Sequence, residues 1–102
     1  MNQAQLLAQV KKMQAEMTKA QEELANTIVS GGAAGGTVTV DVSCDQRVKR
    51  VKIEKEAVDP EDVETLEDLV MVAVNDALAK ASETSQKRMA SVTGGMRIPG
   101  LM

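Results

Sequence analysis

Residues 3–26 read Gln-Ala-Gln-Leu-Leu-Ala-Gln-Val-Lys-Lys-Met-Gln-Ala-Glu-Met-Thr-Lys-Ala-Gln-Glu-Glu-Leu-Ala-Asn, with apolar side chains in a four-three rhythm at Leu6, Val10, Met13, Met17, Ala20 and Leu24. Positions spaced in this way share one stripe of an α-helix. At 1.5 Å per residue such a helix is roughly 36 Å long, whereas a compact chain of about 100 residues has a radius of gyration near 13 Å. One subunit therefore leaves part of the seam uncovered. The spacing predicts that the chain pairs with itself, with Leu6, Val10, Met13, Met17 and Leu24 at the dimer interface.

Downstream the period changes from helical to alternating. Thr27 to Ser30 is β-branched enough for a short strand, and Gly31-Gly-Ala-Ala-Gly-Gly36 predicts a flexible break in regular structure. From Thr37 to Cys44 the alternation is clean, with Val38, Val40, Val42 and Cys44 on one face, as in a half-buried antiparallel strand. Asp45-Gln46 supplies a turn into Arg47 to Glu54, where Val51 and Ile53 face inward and Val48 falls out of phase, as at a bulge. Val58-Asp-Pro-Glu-Asp62 predicts a helix start, with Asp59 as the cap and Pro60 in the first turn. A stripe of Val63, Leu66, Val70, Ala73 and Ala77, supported by Leu69 and Val74, is suited to cover the sheet. Past Ala81 the same face carries Thr84, Lys87 and Arg88, so the helix is expected to run on as a projecting limb, with Ser91 to Met102 an irregular tail. These elements define an α+β fold in one domain over residues 1–102: a long N-terminal helix, a small three-stranded antiparallel sheet and a long C-terminal helix.

Composition narrows function more than any motif does. The chain has no His, Phe, Tyr or Trp, which removes the usual catalytic base and metal ligand together with every aromatic platform for stacking a base. Acid pairs such as Glu22–Glu23 and Glu67–Asp68 are adjacent on a helix and do not face one another. Cys44 lies on the inward side of its strand with no histidine to activate it, as a small hydrophobe would. The glycine run lacks the Lys-Ser/Thr of a phosphate-binding loop. No catalytic residue, metal, cofactor or small-molecule substrate is expected. A single cysteine, with no signal-peptide pattern, lipidation motif or apolar run of membrane-spanning length, points to the cytoplasm. A membrane-surface helix would lack an aromatic anchor.

Net charge is only −3, but its distribution is uneven. Lys11, Lys12 and Lys19 outnumber Glu16 in the first helix, Arg47, Lys49, Arg50, Lys52 and Lys55 cluster around Glu54, and Lys80, Lys87, Arg88 and Arg97 dominate the end. The acids collect between Glu56 and Asp68. Segregation of this kind creates a basic surface on an acidic protein. Solubility and phosphate contact both account for these cations on the residues alone. If the partner is nucleic acid, the lack of aromatic side chains disfavours single strands and leaves duplex DNA held by its backbone.

The second helix and its sequel, Leu66-Glu-Asp-Leu-Val70, Asn75-Asp-Ala77, Glu83-Thr84, Met89-Ala-Ser-Val92, Gly95-Met96 and Pro99-Gly100, resemble the YbaB/EbfC family of bacterial nucleoid-associated proteins. The Gln-, Met- and Lys-rich first helix, the glycine loop and the Val-Lys-Ile strand occur in the same order, so the resemblance spans nearly the whole chain. It departs where Ile53-Glu-Lys-Glu replaces an Ile-Asp type ending and Asp59-Pro60 comes late, which bears on where the second helix starts. The resemblance implies an intertwined homodimer whose helices project like tweezers, DNA binding through those helices, and effects on nucleoid organisation and gene expression. By position it implicates Lys11, Lys12 and Lys19 on the first helix and Lys80, Lys87 and Arg88 on the second. Arg47, Lys49, Arg50 and Lys52 form a second candidate surface. The rival reading is a dimeric protein-interaction adaptor, motivated by the acidic Glu56 to Asp68 segment and the apolar Met96 to Met102 tail.

Overall fold

Asn2 opens the first helix, α1 (Gln3–Ala25), by accepting the Gln5 N–H at 2.8 Å, while the Gln5 side-chain oxygen accepts the Asn2 N–H at 3.3 Å. This reciprocal cap satisfies two amides that the helix leaves unpaired. The computed structural model describes residues 2–93. After α1 come β1 (Ile28–Ala33), β2 (Val38–Ser43) and β3 (Arg47–Ile53), an antiparallel sheet in the order β1-β2-β3, and then α2 (Val63–Thr93). The Cys44 N–H donates to the carbonyls of Leu24 and Thr27 at 3.1 and 2.9 Å, tying the end of α1 to the hairpin.

The alternation in β2 decides the core. Val38, Val40 and Val42 are fully buried and Cys44 nearly so, against Ala73, Ala77 and Ala81 of α2, each 0 % exposed. Register pairs Asp41 with Arg50 but Val42 with Val48, so Lys49 is the extra residue of a bulge and Val48 returns to the apolar face.

The glycine run differs from its expectation. Gly31, Gly32 and Ala33 belong to β1, and only Ala34–Gly36 leaves the sheet, in a tight 3-10 turn. Glycine here answers a tertiary demand: a Cβ on Gly31 would lie 2.2 Å from the Ala77 nitrogen and 2.8 Å from the Ala73 carbonyl oxygen. The helix backbone rests directly on the strand.

Two further boundaries shift. The start of α2 is Val63, because the Asp62 carboxylate takes both the Thr65 N–H (3.3 Å) and its hydroxyl (2.6 Å), whereas Asp59 accepts the Glu61 N–H in a preceding turn. At the other end Ser91 to Thr93 are helical, and the rest of the expected tail lies outside the described residues.

The far end of α2 does not stand alone. The Thr84 hydroxyl lies beside Cys44, and one turn on Arg88 Nε donates to Glu23 at 2.9 Å, so α2 runs antiparallel to α1. Ala20 and Val92 are buried where the two helices meet. Leu24 belongs to the core of its own chain, 6 % exposed. Leu6 and Val10 stay exposed beyond this contact, with Met13 and Met17 half-buried. The resulting arm makes the molecule 70 × 26 × 17 Å, with a radius of gyration of 19.7 Å.

A second apolar surface lies on β3. Ile53, Val51 and Val48 pair with Val38, Val40 and Val42 and so share the core face, yet they are 39 to 49 % exposed. Val51 and Ile53 face inward as expected, but α2 does not cover them. Asp76 and Lys80 hold one flank of α2 to β1, and at 100° per residue Val70, Val74 and Leu78 fall on the opposite flank, toward β3. Beside that flank the apolar side chains of the edge strand are left partly exposed.

Candidate nucleic-acid interface

Lys11, Lys12 and Lys19 sit on the exposed side of α1, and among the described residues no carboxylate lies within ion-pair distance of them. Helical geometry turns all three roughly 130° or more away from the seam of Leu6, Val10, Met13 and Met17. The arm thus carries an apolar stripe on one side and a cationic row on the other. Lys12 and Lys19, one heptad apart, rise about 10 Å along the same flank.

The cations expected on α2 are differently placed. Lys80 Nζ is 3.2 Å from the Asp76 carboxylate and 3.3 Å from the Ser30 carbonyl, while the same carboxylate accepts the Gly32 N–H at 3.0 Å. Together they close the unpaired edge of β1. Lys87 pairs with Glu83 at 3.1 Å, and Arg88 donates to Glu23 and, at 2.9 Å, to Ser91. Asp76–Lys80 and Glu83–Lys87 follow the four-residue helical interval and were legible as spacing. Arg88–Glu23 joins residues 65 apart and had no local signal.

The strand cations form a separate surface. Arg50 and Lys52 lie opposite Asp41 and Thr39 on the sheet face away from α2, Lys49 occupies the bulge, and Arg47 is 3.8 Å from Asp45. The structure does not bring them together with the α1 row. Cys44 is buried, which pushes its thiol pKa up, while the Thr84 hydroxyl beside it opposes that rise. It is a core residue.

Glu23 is held below the ordinary carboxylate range, first by the Arg88 hydrogen bond, and Asp76 likewise, first by the Gly32 N–H and then by Lys80. A depressed folded-state pKa adds stability above the unfolded value, and that stability is lost as pH falls through the folded pKa. The arm is accordingly expected to loosen as pH drops below the unperturbed glutamate value of 4.5. Amide exchange across residues 17–25 is the readout; Glu23→Gln flattens the acid response, and an equally steep response in that variant would count against the pairing.

A projecting two-helix arm with a solvent-facing cationic row, on a three-stranded α+β body, is a frame suited to a polyanion. The family model described as the YbaB/EbfC DNA-binding family matches residues 1–96, and the chain belongs to that family. A relative from Chloroflexus aurantiacus named "Nucleoid-associated protein" is 48 % identical over 97 residues, covering 95 % of this chain and 97 % of its own. Another of that name from Alkaliphilus metalliredigens is 49 % identical over 100 residues, covering 98 % and 88 %. The crystal structure of an uncharacterized Helicobacter pylori protein matches with a TM-score of 0.74 at 24 % identity, covering 85 % of this chain and 91 % of its own, a likeness of fold. No described helix is long and apolar enough to cross a membrane.

Proposed function

We propose that this protein is a nucleoid-associated homodimer that grips duplex DNA through phosphate contacts made by its arms, and so organises the nucleoid and influences gene expression. The observation that carries the reading is the solvent-facing row of Lys11, Lys12 and Lys19, none of them in a direct ion pair although Lys19 acts electrostatically on Glu23, in a chain of a DNA-binding family. Lys87 stands exposed beside Glu83 on α2; Lys80 ties α2 to the β1 edge and Arg88 ties it to α1.

Pairing is supported by what one chain leaves bare. Its accessible surface of 7393 Å² compares with about 5,600 Å² for a compact monomer of this mass. The exposed apolar side chains of β3, Val48, Val51 and Ile53, form one apolar surface to close, and a two-fold contact presents the same patch from both copies. The dimer contact is proposed to include that side together with the α1 seam of Leu6, Val10, Met13 and Met17, exposed or half-buried in one chain.

Two arms with three lysines each engage about six phosphates, so log K should fall with log salt at a slope near −5. Titration of random-sequence duplex from about 50 to about 200 mM salt then weakens binding roughly a thousandfold. No binding at either salt would favour the adaptor reading.

A further inference from the structure

The α1 row and the cations of β3 are apart in the fold, and the packing of α2 decides which way each set points. At about 100° per residue, Ala73, Ala77 and Ala81, which cover the sheet, and Arg88 and Val92, which meet α1, fall within about 100° of one another around α2. The sheet and α1 therefore lie on one face of α2, end to end, joined where the Cys44 N–H donates to the Leu24 carbonyl. Their surfaces away from α2 look to the same side. There the sheet presents exposed Arg50 and Lys52, and α1 presents Lys11, Lys12 and Lys19, turned about 100° to 160° from its buried residues Ala20 and Leu24. Glu22, Asp41 and Glu54 are the acids of α1 and the strands that share this side, outnumbered by the five cations, and Asp41 already accepts the Ser30 hydroxyl at 2.6 Å.

We infer that one duplex lies lengthwise on this side of the chain, its phosphates held by Lys11, Lys12 and Lys19 on the arm and by Arg50 and Lys52 on the sheet. The inference rests on the proposed DNA-binding function and extends the contact from the arm to the body. Length fits. From Lys12 to Leu24 is about 18 Å of helix and from Arg47 to Lys52 about 17 Å of strand, so the cations follow a track of at most about 35 Å, one turn of B-DNA. Spacing fits as well: Arg50 and Lys52, two residues apart on a strand, stand about 7 Å from each other, twice the rise of about 3.4 Å between phosphates of one DNA strand. Among the described residues no carboxylate lies within ion-pair distance of either. Val51 and Ile53, which the proposed dimer contact uses, point to the opposite face of the sheet, so pairing of two copies through them leaves Arg50 and Lys52 open.

Lysine footprinting of the full chain tests this: acetylation by an N-hydroxysuccinimide ester, read by mass spectrometry, with and without a random-sequence duplex of roughly 30 base pairs, about three helical turns. Lys12, Lys19 and Lys52 are expected to react several-fold more slowly in the complex, all three over the same range of duplex concentration. Protection of Lys12 and Lys19 with Lys52 unchanged would overturn the lengthwise course and leave the proposed function standing. Protection of Lys52 only at a higher duplex concentration would also overturn it, in favour of a second duplex on the sheet. If the duplex binds and none of Lys11, Lys12 and Lys19 is protected, the proposed function fails and the inference with it. In a second measurement, Arg50→Ala with Lys52→Ala is expected to weaken duplex binding several-fold while thermal melt and dimer stay those of the parent, because both side chains are exposed. An unchanged affinity would refute the sheet contact.

Discussion

Gly31→Ala is expected to cost on the order of 3 kcal/mol, a fall in Tm of roughly 15 °C for a domain of this size. The new Cβ would meet the Ala77 nitrogen at 2.2 Å and its Cα at 2.7 Å, and both are helix backbone that no rotamer change can move. Relief requires lifting α2 from β1, which opens the stripe of Ala73, Ala77 and Ala81 and strains the Gly32–Asp76 hydrogen bond at its side. The neighbouring Gly32→Ala is the control, since its Cβ would approach nothing nearer than 3.4 Å. Thermal melts of the two variants should differ widely. A Gly31→Ala melt within a few degrees of the parent would mean that the helix is not seated on the strand.

Val51→Asp is expected to take the dimer apart while leaving each chain folded. Val51 is 46 % exposed in a single chain, so the carboxylate stays hydrated there, but in the proposed contact it enters an apolar interface. Two-fold symmetry places the substitution in the interface twice. Losing two buried valines and desolvating two charges should weaken association by at least a hundredfold, about 3 kcal/mol or more. Sedimentation velocity and circular dichroism together read the result: a slower species with native helix content. A variant that still sediments as the parent dimer would move the contact off β3.

Most of the fold was legible because local and global preferences agree. The alternation from Val38 to Cys44, the phase slip at Val48 and the helical rhythm from Leu6 to Leu24 each describe an element that the structure contains. The failures have one kind of cause. Gly31 and Gly32 read as breakers by propensity, yet the strand needs a residue without a side chain where α2 crosses it. Asp59 and Asp62 both suit a helix cap, and only the Thr65 contacts distinguish them. At the candidate site, the heptad of Lys12 and Lys19 was visible, whereas the engagement of Arg88 depends on α1 and α2 lying antiparallel, a tertiary fact. The projecting limb anticipated at the end of α2 is for the same reason a two-helix arm.

On the proposed function, lysines on two paired arms hold duplex DNA by its phosphates. Its most direct test is the salt dependence of random-duplex binding, measured by fluorescence anisotropy for the parent chain and for a variant with alanine at Lys11, Lys12 and Lys19. A slope near −5 that collapses in the variant, with dimerisation intact, is the predicted result. A parent slope that the variant retains would place the DNA elsewhere on the molecule.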